Sequence, residues 1–235
     1  MRQIVLDTET TGLEPSAGHR IIEIGAVELI NRKLTGKRFH QYINPMREVD
    51  QGALEVHGIS NEFLADKPLF NQIADDFLAF AKESELIIHN APFDIGFLDH
   101  ELNLLGPQLG TMNDHCSVLD TLVLARSKHP GQKNNLDALC KRYDIDNSQR
   151  DLHGALLDAE ILADVYLAMT GGQTALELGN NDAKNTNQKT RQQSATVDFS
   201  QRSGLVIYAS EEESRAHLEK LSAIDKSSGG ECMWR

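Results

Sequence analysis

Apolar residues occur along this chain in short unbroken runs, separated by stretches where they recur every three or four positions. Gln3 to Leu6 is one such run and reads as a buried central strand. Arg20 to Ile30 predicts a second, longer strand, Asn31 to Gly36 a turn, and Lys37 to Ile43 a third strand. The short connection between the last two favours an antiparallel pair. Ser60 stands where it can cap a helix entering Asn61-Glu62-Phe63-Leu64, and Leu69, Ile73, Phe77 and Phe80 fall on one helical stripe. Glu85 to His89 is another buried strand. It feeds a helix from about Pro92 to Leu105, with Pro92 in the tolerant first turn and Gly106-Pro107 as the stop. Ser117 to Asp120 is a short strand leading into a helix that ends near Lys128. Asn134 to Tyr143 and Leu156 to Met169 are helical, the latter broken by Gly171-Gly172. Repeated strand-helix-strand units with an antiparallel edge predict an α/β fold, a mixed sheet flanked by helices.

The pattern changes after residue 172. Asn180 to Gln201 is rich in Asn, Gln, Ser and Thr and poor in apolar residues, so it cannot repay the entropy of ordering and reads as a flexible linker. Beyond it, Leu205-Val206-Ile207-Tyr208 is strand-like, and Leu218, Leu221 and Ile224 form an apolar stripe within Glu211 to Ile224. The one tryptophan, Trp234, is next to last. A tail of about 30 residues holds too small a core to fold alone, so its apolar groups point to docking on another protein. The expected division is 1–172 as the folded domain, 173–204 as the linker and 205–235 as the docking tail.

Composition narrows the partners. The 235 residues carry 23 Lys+Arg against 35 Asp+Glu, a formal net charge of -12. Such a chain is poorly suited to coating a long stretch of nucleic acid by neutralising phosphates, although metals can supply positive charge at a short footprint. Cys116, Cys140 and Cys232 show neither zinc spacing nor a disulfide framework and read as reduced thiols in a cytoplasm. No signal peptide is expected, because the strand-like Arg2 to Leu6 opens the sequence. No apolar run is long enough to span a bilayer.

Within this framework, four carboxylates and a histidine stand in three separated blocks: Asp7-Thr8-Glu9, His89-Asn90-Ala91-Pro92-Phe93-Asp94, and His153 with Asp158. Each block sets charge beside residues expected to be buried, which is costly unless a cation neutralises it. Asp7 and Glu9, two apart on a strand, share a face. Taken singly, the pair also reads as a solvated strand end, and Asp94 as a first-turn acid favoured by the helix dipole. His153 and Asp158, five apart, would not share a face of one helix. His153 is therefore expected before the helix or in its first turn, with Asp158 on the helix. Phe93 and Phe97, four apart, read as core residues. Together the oxygen ligands and a histidine suit two divalent metals and a base for an activated water, the chemistry of phosphodiester hydrolysis.

In this order and spacing, the blocks resemble the DEDD exonuclease superfamily in its histidine-containing branch. The resemblance implies a ribonuclease H-like fold, Asp7, Glu9, Asp94 and Asp158 as ligands for two Mg²⁺ or Mn²⁺ ions, and His153 as general base. Asp7, Glu9 and Asp158 would also contact the substrate. Val56-His57-Gly58-Ile59 is similar to the family's nucleotide-pocket segment, with His57 facing the substrate. An acidic residue often found five positions earlier in the family is Gly52 here. Residues 2 to 170 with the linker and the Trp-ended tail look like the family of proofreading subunits carried by bacterial DNA polymerase III. That likeness implies a 3′–5′ exodeoxyribonuclease acting on mispaired DNA 3′ ends and releasing 5′-mononucleotides. It also implies a cytoplasmic place at the replisome and binding to the polymerase (alpha) subunit through the tail around Trp234. Some members carry a small theta subunit. Gly171 to Leu178 resembles a sliding-clamp-binding peptide with Gln173, Leu176 and Leu178 as anchors, the alternative being an ordinary helix-to-linker junction. An exoribonuclease and a non-catalytic adaptor remain the rival readings at this point.

Overall fold

A computed structural model describes residues 1–150, 152–171 and 209–227. The chain divides into two compact units, Met1–Glu177 and Leu178–Arg235. In the first, β1 (Arg2–Thr10), β2 (Ile21–Ile30) and β3 (Lys33–Tyr42) form an antiparallel meander, and β4 (Glu85–Ile88) and β5 (Ser117–Asp120) join parallel to β1. The order is β3-β2-β1-β4-β5, the mixed sheet with an antiparallel edge that the sequence predicts.

Two strand boundaries differ from expectation. β1 runs on through Asp7 and Glu9 to Thr10, because β2 pairs with it along its whole length while β4 pairs only with Gln3 to Val5. Both carboxylates therefore lie just past the point where the parallel neighbour stops. β3 begins at Lys33, not Lys37. The turn is only Asn31-Arg32, both with positive φ (50° and 64°), which matches the right-handed twist of a two-residue hairpin. Lys33 to Gly36 lack apolar patterning yet are in strand conformation, since backbone groups beside a free edge pair whatever their side chains.

The pleat sends alternate residues into two cores. Ile4, Leu6, Ile24, Ala26, Leu86 and Ile88 pack with α3 (Phe70–Ala81) and α4 (Ala91–Leu105). Val5, Val27, Leu29 and Ile87 pack with α6 (Thr121–Lys128), α7 (Leu136–Tyr143) and α8 (Ala155–Thr170). The stripe on α3 is Phe70, Ile73, Ala74, Phe77 and Ala81. Leu69 instead precedes the helix in extended conformation, and Phe80 is only partly buried beneath the Arg2 guanidinium. Ser60 does cap α2 (Asn61–Leu64), accepting from the Phe63 amide. Two short helices carry too little periodicity to be foreseen: α1 (Gln51–His57), closed by Gly58 at φ 71°, and α5 (Met112–His115).

In the second unit, α9 (Glu211–Ser227) opens with a capping box in which Ser210 and Glu213 serve each other's backbone amides. Leu218 and Ile224 are exposed on it. The expected linker, the strand at 205–208, Cys232 and the anchors Gln173, Leu176, Leu178 and Trp234 lie outside the described residues. Among the described residues no helix is long and apolar enough to cross a membrane, and Cys116 and Cys140 are free and buried.

Helix α8 approaches the sheet backbone closely at Gly25. A Cβ there would lie 2.1 Å from the Leu156 nitrogen and 2.2 Å from the Ala155 carbonyl carbon. Helix α8 makes this approach through the backbone of Ala155 and Leu156, and Ala155, Ala159 and Ala163, four apart, are fully buried. Gly25→Ala is expected to destabilise the fold by about 3 kcal/mol, because the atoms it meets are backbone and cannot swing aside. Urea denaturation with an unchanged slope would measure the loss.

Candidate active site

The pleat that builds the two cores also aims the acids. On β1 the odd positions face α8: Gln3 donates to the Tyr166 hydroxyl at 2.8 Å, and Val5 lies in the α8 core. Asp7 and Glu9 continue that row. Across the β1–β2 pair, Asp7 stands opposite Gly25 and Glu9 opposite Glu23. Gly25 admits the first turn of α8, and Glu23 receives it, accepting from the Ala155 amide at 3.1 Å. The helix start is thus fixed beside the two β1 acids, which brings Asp158 to them. His153 precedes the helix, as the spacing predicts, with its amide bonded to the Val56 carbonyl at 3.1 Å. Asp94 enters from the first turn of α4 and accepts from the Thr8 hydroxyl at 2.7 Å. Asp7, Glu9, Asp94, His153 and Asp158 all line one cleft of about 350 Å³.

A second cavity, of about 490 Å³, is lined by Glu9, Thr10, Leu13, Val56, His57 and Phe93 among others. Phe93, expected in the core, is half-buried and lines both cavities, its ring tilted against that of the buried Phe97 at 5.0 Å between ring centres. His57 is buried. Its Nδ1 accepts from the Ile59 amide, so a neutral ring carries its proton on Nε2, which lies toward the Thr10 carbonyl but outside hydrogen-bond geometry. Burial pushes the His57 pKa down, partly offset by the Thr10 carbonyl and by Glu23.

Charge in the cleft is under strain. Burial, then the charges of Asp94, Glu9 and Asp158, hold Asp7 well above the usual carboxylate range. Glu9 is pushed up to about 8 by burial and by Asp158, Glu23 and Asp94. Asp94 is pushed up to about 7 by burial, against the pull of the Thr8 hydroxyl and nearby amides. Acids that raise one another in this way form a donor set that a divalent cation would relieve. Glu9, His153 and Asp158 each offer a ligand atom, all within 4.8 Å of one another. Arg150 supplies positive charge of its own. Its Nε and Nη2 fork the two oxygens of Asp158, the latter at 2.7 Å, and Nη1 bonds Asp137 at 2.7 Å.

Comparison with known proteins accords with this geometry. The exonuclease family model (RNase_T) matches residues 4–166. The epsilon subunit of DNA polymerase III from Salmonella typhimurium is 54% identical over 241 residues, spanning 100% of this chain and 97% of that protein. The Escherichia coli K12 epsilon subunit is 52% identical with the same coverage. The chain belongs to the DNA polymerase III epsilon-subunit family. Exonuclease X, solved in complex with 5′ overhanging duplex DNA, superposes with a TM-score of 0.56 at 26% identity, over 71% of this chain and 90% of that one.

Several residues that build this epsilon-family site are silent in the sequence. Glu23 and Gly25 sit inside an apolar strand, and nothing local marks them as the landing point of a helix 130 residues later. Thr8 lies between two acids and draws no notice. Arg150 is a lone Arg in the polar loop 144–154, and its nearness to His153 in sequence is the one available signal.

The raised acids give a pH signature. Each holds its proton more tightly in the fold than in the unfolded chain, so their contribution is fully present at low pH. It is lost as pH climbs from the ordinary values of 3.8 for Asp94 and 4.5 for Glu9 through about 7 and about 8. Melting temperature in chelator is expected to fall across that window, and divalent metal to restore more of it at pH 8 than at pH 5. Thermal melts of the chain and of Glu9→Gln, in which the fall is smaller, check this.

Proposed function

We propose that this chain is a 3′–5′ exodeoxyribonuclease that proofreads within DNA polymerase III, hydrolysing mispaired DNA 3′ ends to 5′-mononucleotides. The observation that carries the reading is the meeting of Asp7, Glu9, Asp94, His153 and Asp158, from three distant stretches of chain, in one cleft. Asp7, Glu9, Asp94 and Asp158 would hold two divalent ions, Mg²⁺ or Mn²⁺, which when bound stabilise charge on the phosphate and on the departing oxygen. His153 takes a proton from the attacking water at the ring nitrogen that faces Asp158, a task suited to an imidazole near neutral pH. Attack on the last phosphodiester forms the bond from water oxygen to phosphorus and breaks the one to the 3′ oxygen of the preceding sugar. The terminal nucleotide leaves with its 5′-phosphate.

The neighbouring cavity suits the terminal base. Leu13, Val56 and Phe93 give it apolar walls, and buried His57 is among its lining residues. Such a recessed pocket makes the end leave its duplex, which costs a few kcal/mol and least at a mismatch. Selection of errors then needs no reading of base identity. The net charge of -12 fits an enzyme that grips an end only and relies on a tether for its local concentration.

The division into a catalytic domain (1–172), a linker (173–204) and a docking tail (205–235) belongs to the same reading. The tail would bind the polymerase alpha subunit through Trp234 and neighbouring apolar groups, and the exposed Leu218 and Ile224 on α9 support a docking role. Residues 173–178, with Gln173, Leu176 and Leu178, would engage the sliding clamp, and a theta subunit would sit on the catalytic domain.

A primer with a labelled, mispaired 3′ terminus is expected to release mononucleotides only when Mg²⁺ or Mn²⁺ is added. Failure to cleave under both metals would overturn the reading. His153→Ala is expected to slow that release by about 10²-fold or more, and near-normal rates from pH 6 to 9 would remove His153 as the base. A chain lacking residues 180–235 is expected to digest a short single strand at an unchanged rate while failing to co-elute with the polymerase subunit.

A further inference from the structure

We propose that Arg150 is an internal latch on this site, which holds Asp158 and His153 in an unreactive pairing until divalent metal displaces it. The inference rests on the roles given above to Asp158 and His153. The guanidinium is 8% exposed and uses three of its nitrogens on three partners. Nε and Nη2 take both oxygens of Asp158, Nη1 takes Asp137, and Nη2 also lies 2.8 Å from Nδ1 of His153. Burial works against the Arg150 charge, but the Asp158 and Asp137 bonds outweigh it and hold its pKa above the ordinary range. Arginine does not give up its proton, so these bonds end only when another cation takes its place.

The contact with His153 makes the latch more than a counter-ion. Arg150 can only donate, so Nδ1 of His153 must accept, and its single lone pair is occupied. The proton of the neutral ring then resides on Nε2, which cannot serve as a base either. In this arrangement His153 has no free lone pair for water, although Nδ1 is the atom that faces Asp158, 3.4 Å from Oδ2. Asp158 has lone pairs to spare, but a divalent ion beside its oxygens would stand against the Arg150 charge. Metal entry and release of the base are thereby one event. Asp137, more than half exposed at the cleft rim, keeps hold of Nη1 and so keeps the released guanidinium close. The arrangement prevents hydrolysis by a chain whose metal sites are incomplete.

Calorimetric titration of the full chain with Mn²⁺ alone, without DNA, tests the idea. Arg150→Gln removes the competing charge and is expected to bind Mn²⁺ about tenfold more tightly, within the usual range for coupled sites. Arg150→Lys keeps a charge but cannot fork Asp158 and reach His153 together, and is expected to fall between the two. Melts in chelator identify which variants are folded, and a folded Lys variant carries the test if the Gln variant is not. In the intact chain, the ¹⁵N signal of His153 Nδ1 is expected to be that of an unprotonated, hydrogen-bonded nitrogen, and to shift on saturation with diamagnetic Mg²⁺. That shift is expected to be absent from Arg150→Gln. Equal or weaker Mn²⁺ binding by the folded variants would overturn the latch. Intact binding by Asp158→Asn would instead overturn the ligand assignment on which it rests, so the two failures are distinguishable.

Discussion

Helix α8 meets the sheet backbone to backbone at Gly25, and its first free amide ends on the buried carboxylate of Glu23. A helix amide at the N-terminus has no partner within its own helix, so a buried start needs an acceptor supplied from outside. Here the acceptor lies one pleat repeat from the glycine that permits contact. Position and hydrogen bonding are thus set by two residues of one strand. Because β2 pairs with β1 in fixed register, the same contact places the α8 acid next to Asp7 and Glu9. A one-residue slip of that register would turn Gly25 and Glu23 to the opposite face and dismantle the site while leaving the strands paired.

The site accepts an electrostatic cost that the rest of the molecule avoids. Elsewhere, buried acids are matched: Glu101 is forked by Arg20, and Glu28 is held by Arg2, Thr35 and Lys37. In the cleft, burial raises Asp7, Glu9 and Asp94, and the charges of neighbouring acids add to it. Concentrated negative charge beside a hydrophobic core is what a metal-dependent phosphodiesterase needs, since it stores affinity for the cations that carry out the chemistry. The geometry of Arg150 shows how a protein can hold such a site together without completing it.

Much of this was legible in the chain. Short unbroken apolar runs gave β1, β2, β4 and β5, and glycine and proline stops gave the ends of α4 and α8. The Asp-x-Glu spacing on a strand, and His153 ahead of the helix that carries Asp158, gave the chemistry. Errors fell where local pattern is weak. Lys33 to Gly36 are strand residues at an edge with Leu34 as their one large apolar side chain, and α1 and α5 are too short to show a stripe. Leu69 is apolar but precedes its helix. The pairing of Phe93 with Phe97 was readable, but that Phe93 faces a cavity was not.

By itself, the sequence determined the apolar strands, the longer helices and which reactive groups the chain owns, because these follow from periodicity and composition over a few neighbouring residues. Only the tertiary structure decided that α8 lands at Gly25, that Glu23 receives it, and that Arg150 grips both Asp158 and His153. Those are contacts between distant or irregular segments, fixed by shape and by the need to satisfy buried polar groups, and no local pattern records them.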